Sequence, residues 1–241
     1  MSVAECFLDL CFLVDSSGSV NYKDATNWDT ALQFVTNVTN SFTIGPRNVQ
    51  VAFVLFSATA NVEWFLTRYP EKRSLIDAIR RVGYIGDETN LNEALGLTWS
   101  EVFAAGRGTR PGAIKAAVIL TNGEDNVPRK GTPLTLENAR RCRDAGIRLM
   151  AVGVSNMIDR NRLMQIVTPP SSSNFYAVPD FNSLQRIVLD LTLQICVTPP
   201  PTTISKLSYY VISIYHISHT DTADSFIQSF VHEKCAMNIH V

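Results

Sequence analysis

Phe7-Leu8-Asp9-Leu10-Cys11-Phe12-Leu13-Val14-Asp15-Ser16-Ser17-Gly18-Ser19 decides how this chain folds. An apolar run of strand length ends in a carboxylate, and small hydroxyl residues follow with one glycine among them. A continuous apolar run closed by a turn signal reads as a strand buried on both faces. Such strands belong to parallel sheets, whose ligands bind at the carboxyl ends where the strand order reverses. Asp15, Ser17 and Ser19 alternate across the tight loop, so three oxygens can converge on one point. Hard oxygens, one of them charged, suit Mg²⁺. The same residue types satisfy free N–H groups at a helix start, so a capping role is the alternative, and the two are compatible.

Outward from this loop, Trp28, Ala31, Leu32, Val35, Val38 and Phe42 recur at helical spacing, and Gly45-Pro46 is expected to end that helix. Val49 to Phe56 reads as a second buried strand. Val62 to Leu66 reads as an antiparallel edge strand, because the gap before it is too short for a crossover. A helix around Leu75, Ile76, Ile79 and Val82 leads to the loop Gly86 to Asn90, and a further helix runs from Leu91 to about Phe103. Residues 106–112, rich in glycine and arginine, read as an exposed loop. Strands follow at Ala116 to Leu120, Ile147 to Val154 and Phe175 to Val178. A helix over Leu136 to Ala145 is closed by Gly146 at a left-handed C′ position. Leu184, Ile187, Val188, Leu191 and Ile195 mark the last helix. This alternation predicts an α/β fold: a doubly wound, mostly parallel six-stranded sheet with one antiparallel edge strand and helices on both faces.

Three stretches occur in order: Asp15-Ser16-Ser17-Gly18-Ser19 after its strand, Gly83-Tyr84-Ile85-Gly86-Asp87-Glu88-Thr89-Asn90, and Ala117-Val118-Ile119-Leu120-Thr121-Asn122-Gly123. Together they resemble the loop motifs of the von Willebrand factor type A family, over about residues 6–197, and especially its extracellular members in matrilins and collagen-associated A domains. The resemblance implies a metal-ion-dependent adhesion site. Asp15, Ser17 and Ser19 would form its first ligand loop, and Thr89 would supply a hydroxyl from the second. The third loop of the family brings an aspartate where this chain has Asn122. Asparagine keeps an acceptor oxygen but removes one charge, which weakens the pull on Mg²⁺ or Mn²⁺. Acting through a water, Asn122 can still serve, and Glu124 and Asp125 lie close enough in sequence to restore charge. Asp87 and Glu88 are expected at the partner-facing rim. Similar extracellular domains are closed by a cysteine pair in the places of Cys6 and Cys196, so that disulfide is expected here. The implied function is a protein-binding module of matrix or cell adhesion. Its partner would be an extracellular protein such as collagen or another matrix protein, whose acidic side chain completes the metal's shell.

Composition narrows the alternatives. With 241 residues the chain can bury a sizeable core, and a net charge of −1 offers no basic field for nucleic acid or anionic membrane. No apolar run has the length of a membrane span. The start, Met1-Ser2-Val3-Ala4-Glu5-Cys6, shows no signal-peptide pattern, which sits against the extracellular expectation. Of the five cysteines, Cys11 and Cys142 read as small core residues. Asn37-Val38-Thr39 is an acceptor sequon set within a helix.

At Pro199-Pro200-Pro201 the composition breaks: all 12 glycines and all 11 prolines lie before residue 202, and all 4 histidines lie after residue 215. The reading is an A domain over 6–197, a stiff linker over 198–203 and an unassigned, disordered tail over 204–241. His216, His219, His232 and Cys235 imitate a zinc spacing in that tail.

Catalysis is not expected. Residues 1–203 contain no histidine, which removes Ser–His and Cys–His chemistry. No glycine-rich phosphate loop with its lysine occurs, and the second aspartate of aspartyl phosphoryl-transfer sites is replaced by Ser17. The remaining rival is a metal-free scaffold for protein assembly, possible inside the cell.

Overall fold

The computed structural model describes residues 6–123, 131–155 and 158–196. The chain runs β1 (Leu8–Asp15), α1 (Asn27–Asn40), β2 (Val49–Phe56), β3 (Ala60–Trp64), α2 (Lys72–Ile79), α3 (Leu91–Leu97), β4 (Ile114–Thr121), α4 (Gly131–Asp144), β5 (Ile147–Val154), α5 (Arg160–Ile166), β6 (Phe175–Val178) and α6 (Val188–Ile195). The six strands form one sheet in the order β3-β2-β1-β4-β5-β6. All neighbours are parallel except β2 and the edge strand β3, which are antiparallel. The expected fold class is therefore the observed one.

Every residue of β1 is buried, and alternation along the strand divides them between two cores. Leu8, Leu10, Phe12 and Val14 pack into the core that holds α1, α2 and α6. Cys11 and Leu13 join the core of α3, α4 and α5. A strand sandwiched this way has no solvent face, so its sequence reads as an unbroken apolar run. Succession on the sheet reverses at β1: the chain proceeds outward to β2 and β3 on one side, then returns to place β4, β5 and β6 on the other. The crevice at such a reversal lies at the carboxyl ends of β1 and β4.

Several boundaries differ from the sequence expectation. Helix α1 stops at Asn40, before Gly45-Pro46. The Ser41 hydroxyl there donates to the Asn37 carbonyl at 3.1 Å, the local side-chain competition that ends helices. Helix α3 continues through a π turn over Thr98–Val102, and α6 is entered through a 3-10 turn over Phe181–Ile187. Helix α5 was not anticipated. It has seven residues and buries only Leu163 and Ile166, too few to show a period, although Asp159 caps it by accepting from the Arg162 N–H at 2.9 Å. Gly146 does adopt φ +75° after α4. Asn37 of the sequon donates to Gln185 Oε1 at 2.6 Å, and Thr39 is buried.

The loop 106–112 is not simply exposed. Asp9, fully buried within β1, accepts from the Arg110 Nε at 2.7 Å and from its backbone N–H at 2.8 Å. The same guanidinium donates to the carbonyls of Leu8, Asn48 and Pro46, and lies 4.2 Å from the Phe7 ring centroid. One side chain thus ties β1, the entry to β2 and the approach to β4. Nearby, Cys6 and Cys196 form the expected disulfide, at a sequence separation of 190. Cys11 and Cys142 are free and buried, and burial holds both thiols protonated, that of Cys142 with its pKa pushed up to about 12. The linker, the tail and its histidines, together with Glu124 and Asp125, lie outside the described residues.

Arg110→Ala leaves the Asp9 carboxylate buried without its cation, a change that costs about 3 kcal/mol or more. Urea unfolding of the oxidised chain should show this as a lower midpoint at an unchanged slope. An unchanged midpoint would mean that water replaces the guanidinium at no cost.

Candidate functional site

Asp15 is the last residue of β1 and is 2% exposed. Its Oδ1 accepts from the Ser17 N–H at 2.9 Å, which folds the loop back over the strand end. Its Oδ2 accepts from the Thr121 hydroxyl at 2.6 Å. Thr121 ends the neighbouring strand β4, and the parallel register that sets Val14 beside Leu120 brings the two side chains together. Burial pushes the Asp15 pKa above its ordinary value, and the hydrogen bonds from Thr121 and Ser17 pull it back.

The loop does not cap α1, which begins at Asn27 with Thr26 at its N-cap position. The hydroxyl residues are free to serve one another. Ser17 Oγ and Ser19 Oγ are 3.0 Å apart. Ser19 Oγ donates to Asn122 Oδ1 at 3.0 Å, and Asn122 Nδ2 donates to the Ser19 carbonyl at 2.8 Å. The first and third loops are therefore joined by a reciprocal pair.

The second loop docks on the first by backbone contact. Gly18 N–H donates to the Asp87 carbonyl at 2.7 Å, and Gly86 N–H donates to the Ser16 carbonyl at 2.8 Å. A side chain at Gly18 would stand 3.1 Å from the Gly86 carbonyl oxygen, and Gly86 itself has φ +87°. Both positions need glycine for this approach. Ser16 Oγ accepts from the Ile85 N–H at 2.8 Å, and the Tyr84 hydroxyl donates to the Ser17 carbonyl at 3.0 Å. Ser57, from the end of β2, accepts from the Asp87 N–H and donates to the Glu88 carbonyl. Asn90 caps α3 through the Glu93 N–H at 3.2 Å and donates to the Ala58 carbonyl at 3.0 Å. This clasp holds Thr89, 4% exposed, at the loop's inner face.

A methyl group placed on Gly123 would lie 3.2 Å from Ser19 Oγ and 3.8 Å from Thr89 Oγ1, so all three loops meet at one point. Asp15, Ser17, Ser19, Thr89 and Asn122 are thus neighbours, and they present hard oxygens with one formal charge. That donor chemistry fits a small divalent cation. No cluster of three or more His, Cys, Asp or Glu side chains suited to a metal occurs among the described residues, so any ion held here would depend on hydroxyl oxygens. Asp87 and Glu88 are exposed beside this point. Asp87 Oδ1 accepts from the Glu88 N–H at 2.9 Å. Sequence reasoning missed the roles of Thr121, Ser57 and Tyr84, whose hydrogen bonds orient the loops.

A family model described as von Willebrand factor type A domain matches residues 9–190. Over 191 residues the chain is 36% identical to the collagen alpha-1(XII) chain of Notophthalmus viridescens, covering 78% of this chain and 19% of that protein. It is 28% identical over 193 residues to Matrilin-1 of Mus musculus, covering 80% and 37%. The chain accordingly spans between a fifth and two-fifths of the length of these relatives. Among solved structures, proximal thread matrix protein 1 from the mussel byssus, described with a zinc occupied MIDAS motif, matches with a TM-score of 0.72. The match covers 81% of this chain and 47% of that one at 24% identity, a likeness of fold. No helix among the described residues is long and apolar enough to cross a membrane.

Because burial raises the folded-state pKa of Asp15, its ionisation costs stability, and that cost appears as pH rises from the ordinary carboxylate range through the folded-state value. Thr121→Val removes a donor to the charged form and should enlarge the cost by about 1–3 kcal/mol at neutral pH. In chelator, unfolding curves of variant and parent should separate at neutral pH and draw together in acid. A separation independent of pH would assign Thr121 a packing role only.

Proposed function

The chain belongs to the von Willebrand factor type A domain family, and we propose that it acts as a non-enzymatic protein-binding module of the extracellular matrix or cell adhesion. In this reading it grips an acidic side chain of its partner through Mg²⁺ or Mn²⁺ at the Asp15 loop. The observation that carries the reading is the meeting of Asp15, Ser17, Ser19, Thr89 and Asn122 at the sheet's reversal point.

Asp15 is the only carboxylate in that set, and its buried position supplies an electrostatic reason to favour a cation. Ser17, Ser19 and Thr89 would contribute hydroxyl oxygens, and Asn122 its amide oxygen or a water that it holds. A divalent ion bound there would supply exchangeable positions for a partner's carboxylate. Asp87 and Glu88 stand at the rim and oppose acidic partners that are not drawn to the centre. The matrix relatives support an extracellular setting, and the Cys6–Cys196 disulfide agrees with an oxidising compartment. Partners in that setting would be matrix proteins, collagen among them. Absence of histidine through residue 203 supports the non-enzymatic reading. The module would comprise residues 6–197, with the proline-rich 198–203 joining it to residues 204–241.

A second reading has its own observation. Ser17, Ser19 and Asn122 satisfy one another in a hydrogen-bonded chain, so the loops need no ion to be ordered. A metal-free scaffold for protein assembly, extracellular or intracellular, would use the same face.

Calorimetric titration of Mg²⁺ into the parent and into Asn122→Asp separates these readings. One added charge beside a partly screened cation is worth on the order of 1 kcal/mol, so the variant should bind roughly fivefold tighter. Binding by neither protein would favour the scaffold.

A further inference from the structure

The net charge of −1 is unevenly spread along the chain. Residues 68–81 hold 5 of the 21 Lys and Arg and 2 of the 22 Asp and Glu. Helix α2 occupies most of this stretch and buries Leu75, Ala78 and Ile79. Arg73 and Arg80 stand two turns apart on the opposite, exposed side, about 10 Å along the helix axis. Arg81 is exposed next to Arg80, and Arg68 is exposed just before the helix, 5.5 Å from the Tyr69 ring centroid.

Elsewhere Arg107, Arg110, Arg140 and Arg143 donate to carboxylates or carbonyls of the chain itself. Arg68, Arg73, Arg80 and Arg81 have no side-chain hydrogen bond and no ion pair among the described residues. Of the five cations Lys72 alone is hydrogen-bonded, its Nζ donating to the Asn40 carbonyl at the end of α1 at 3.0 Å. The helix dipole accounts for Arg80 and Arg81, which stand at the C-terminus of α2 where a cation is favoured. It does not account for Arg73. That residue lies in the first turn, which has no acidic side chain, and there a cation is disfavoured. A row of guanidinium groups held against that cost, without internal partners, faces solvent ready for an external anion.

We infer that the exposed face of α2 binds a linear sulfated polysaccharide, whose sulfate groups pair with Arg73, Arg80 and Arg81 along the helix and with Arg68 beyond its start. This contact needs no metal and is independent of the Asp15 loop. Charge complementarity calls for a polyanion. Guanidinium forks grip oxyanions through paired hydrogen bonds, which suits sulfate esters that stay ionised at every physiological pH. No large apolar side chain is exposed between residues 68 and 81. The face therefore lacks the aromatic and apolar centre of a protein interface and the stacking platform of a single-stranded nucleic-acid site. Glu71 and Asp77 are exposed on the same stretch and subtract from its charge, Asp77 from a place between Arg73 and Arg80.

Fluorescence anisotropy on the full chain in chelator tests this with labelled heparin, with labelled hyaluronan, which carries carboxylates and no sulfate, and with labelled polyglutamate. The parent should bind heparin most tightly, and added salt should weaken that binding. A combined variant, Arg73→Gln with Arg80→Gln and Arg81→Gln, should bind heparin roughly tenfold more weakly, as loss of several exposed ion pairs allows. Asp77→Asn should bind it about threefold more tightly. Arg47→Gln with Arg160→Gln and Arg186→Gln removes the same charge from exposed positions outside the stretch and should leave the affinity near that of the parent. Equal losses in the two combined variants would show a response to net charge alone and overturn the inference. No heparin binding by the parent, or no gain in Asp77→Asn, would overturn it as well. Polyglutamate or hyaluronan bound as tightly as heparin would overturn the choice of a sulfated chain. None of these results bears on Mg²⁺ at the Asp15 loop.

Discussion

A carboxylate buried at the end of the central strand sets the terms for everything above the sheet. Asp15 cannot reach solvent, so its oxygens must be met from within. The Ser17 N–H meets one and the Thr121 hydroxyl meets the other; Ser17 lies in the first loop, and Thr121 ends the strand that leads into the third. Satisfying one buried charge therefore fixes the curl of the first loop and the start of the third. The second loop follows because the first leaves the Ser16 carbonyl and the Gly18 N–H for Gly86 and Asp87 to pair with. Three loops from distant parts of the sequence are brought to one point by backbone, hydroxyl and amide contacts, without a direct ion pair among their described residues.

The opposite end of β1 shows the complementary arrangement. There Asp9 is also buried, but a guanidinium answers it directly and spends its other donors on the surrounding carbonyls. One strand thus carries two buried carboxylates with different fates. Asp9 is neutralised by Arg110 and is structural. Among the described residues Asp15 is only hydrogen-bonded, and the proposed cation site rests on that difference. That contrast, rather than exposure, distinguishes the two ends of the strand.

Much of this was legible in the sequence because parallel strands buried on both faces cannot disguise themselves. The ranges of β5 and β6 read directly from their apolar runs, and the Asp15 loop read from local alternation of oxygen-bearing residues. What escaped depended on register or on isolated contacts. Thr121 looks like any strand-end threonine until the pairing of β1 with β4 sets it beside Asp15. Arg110 sits among glycines in a stretch whose composition resembles solvated loop, although the charge of Asp9 inside an apolar run was a signal that a partner was needed. Helix α5 was too short to show a period, and α1 ended where a serine hydroxyl, not the later glycine and proline, drew off its carbonyls. Neither a register nor a long-range hydrogen bond is written in local pattern.

The most direct test of the central claim, that the buried charge of Asp15 is held for a cation, is thermal unfolding of the full chain with Mg²⁺ and with chelator. A ligand that binds only the folded state stabilises it by about 2.7 kcal/mol at a hundredfold excess over Kd. The parent should melt at higher temperature in Mg²⁺, and Asp15→Ala should melt at one temperature in both conditions. A parent whose melting temperature ignores Mg²⁺ would contradict the claim, leaving the Asp15 carboxylate as a fastening for the loops alone.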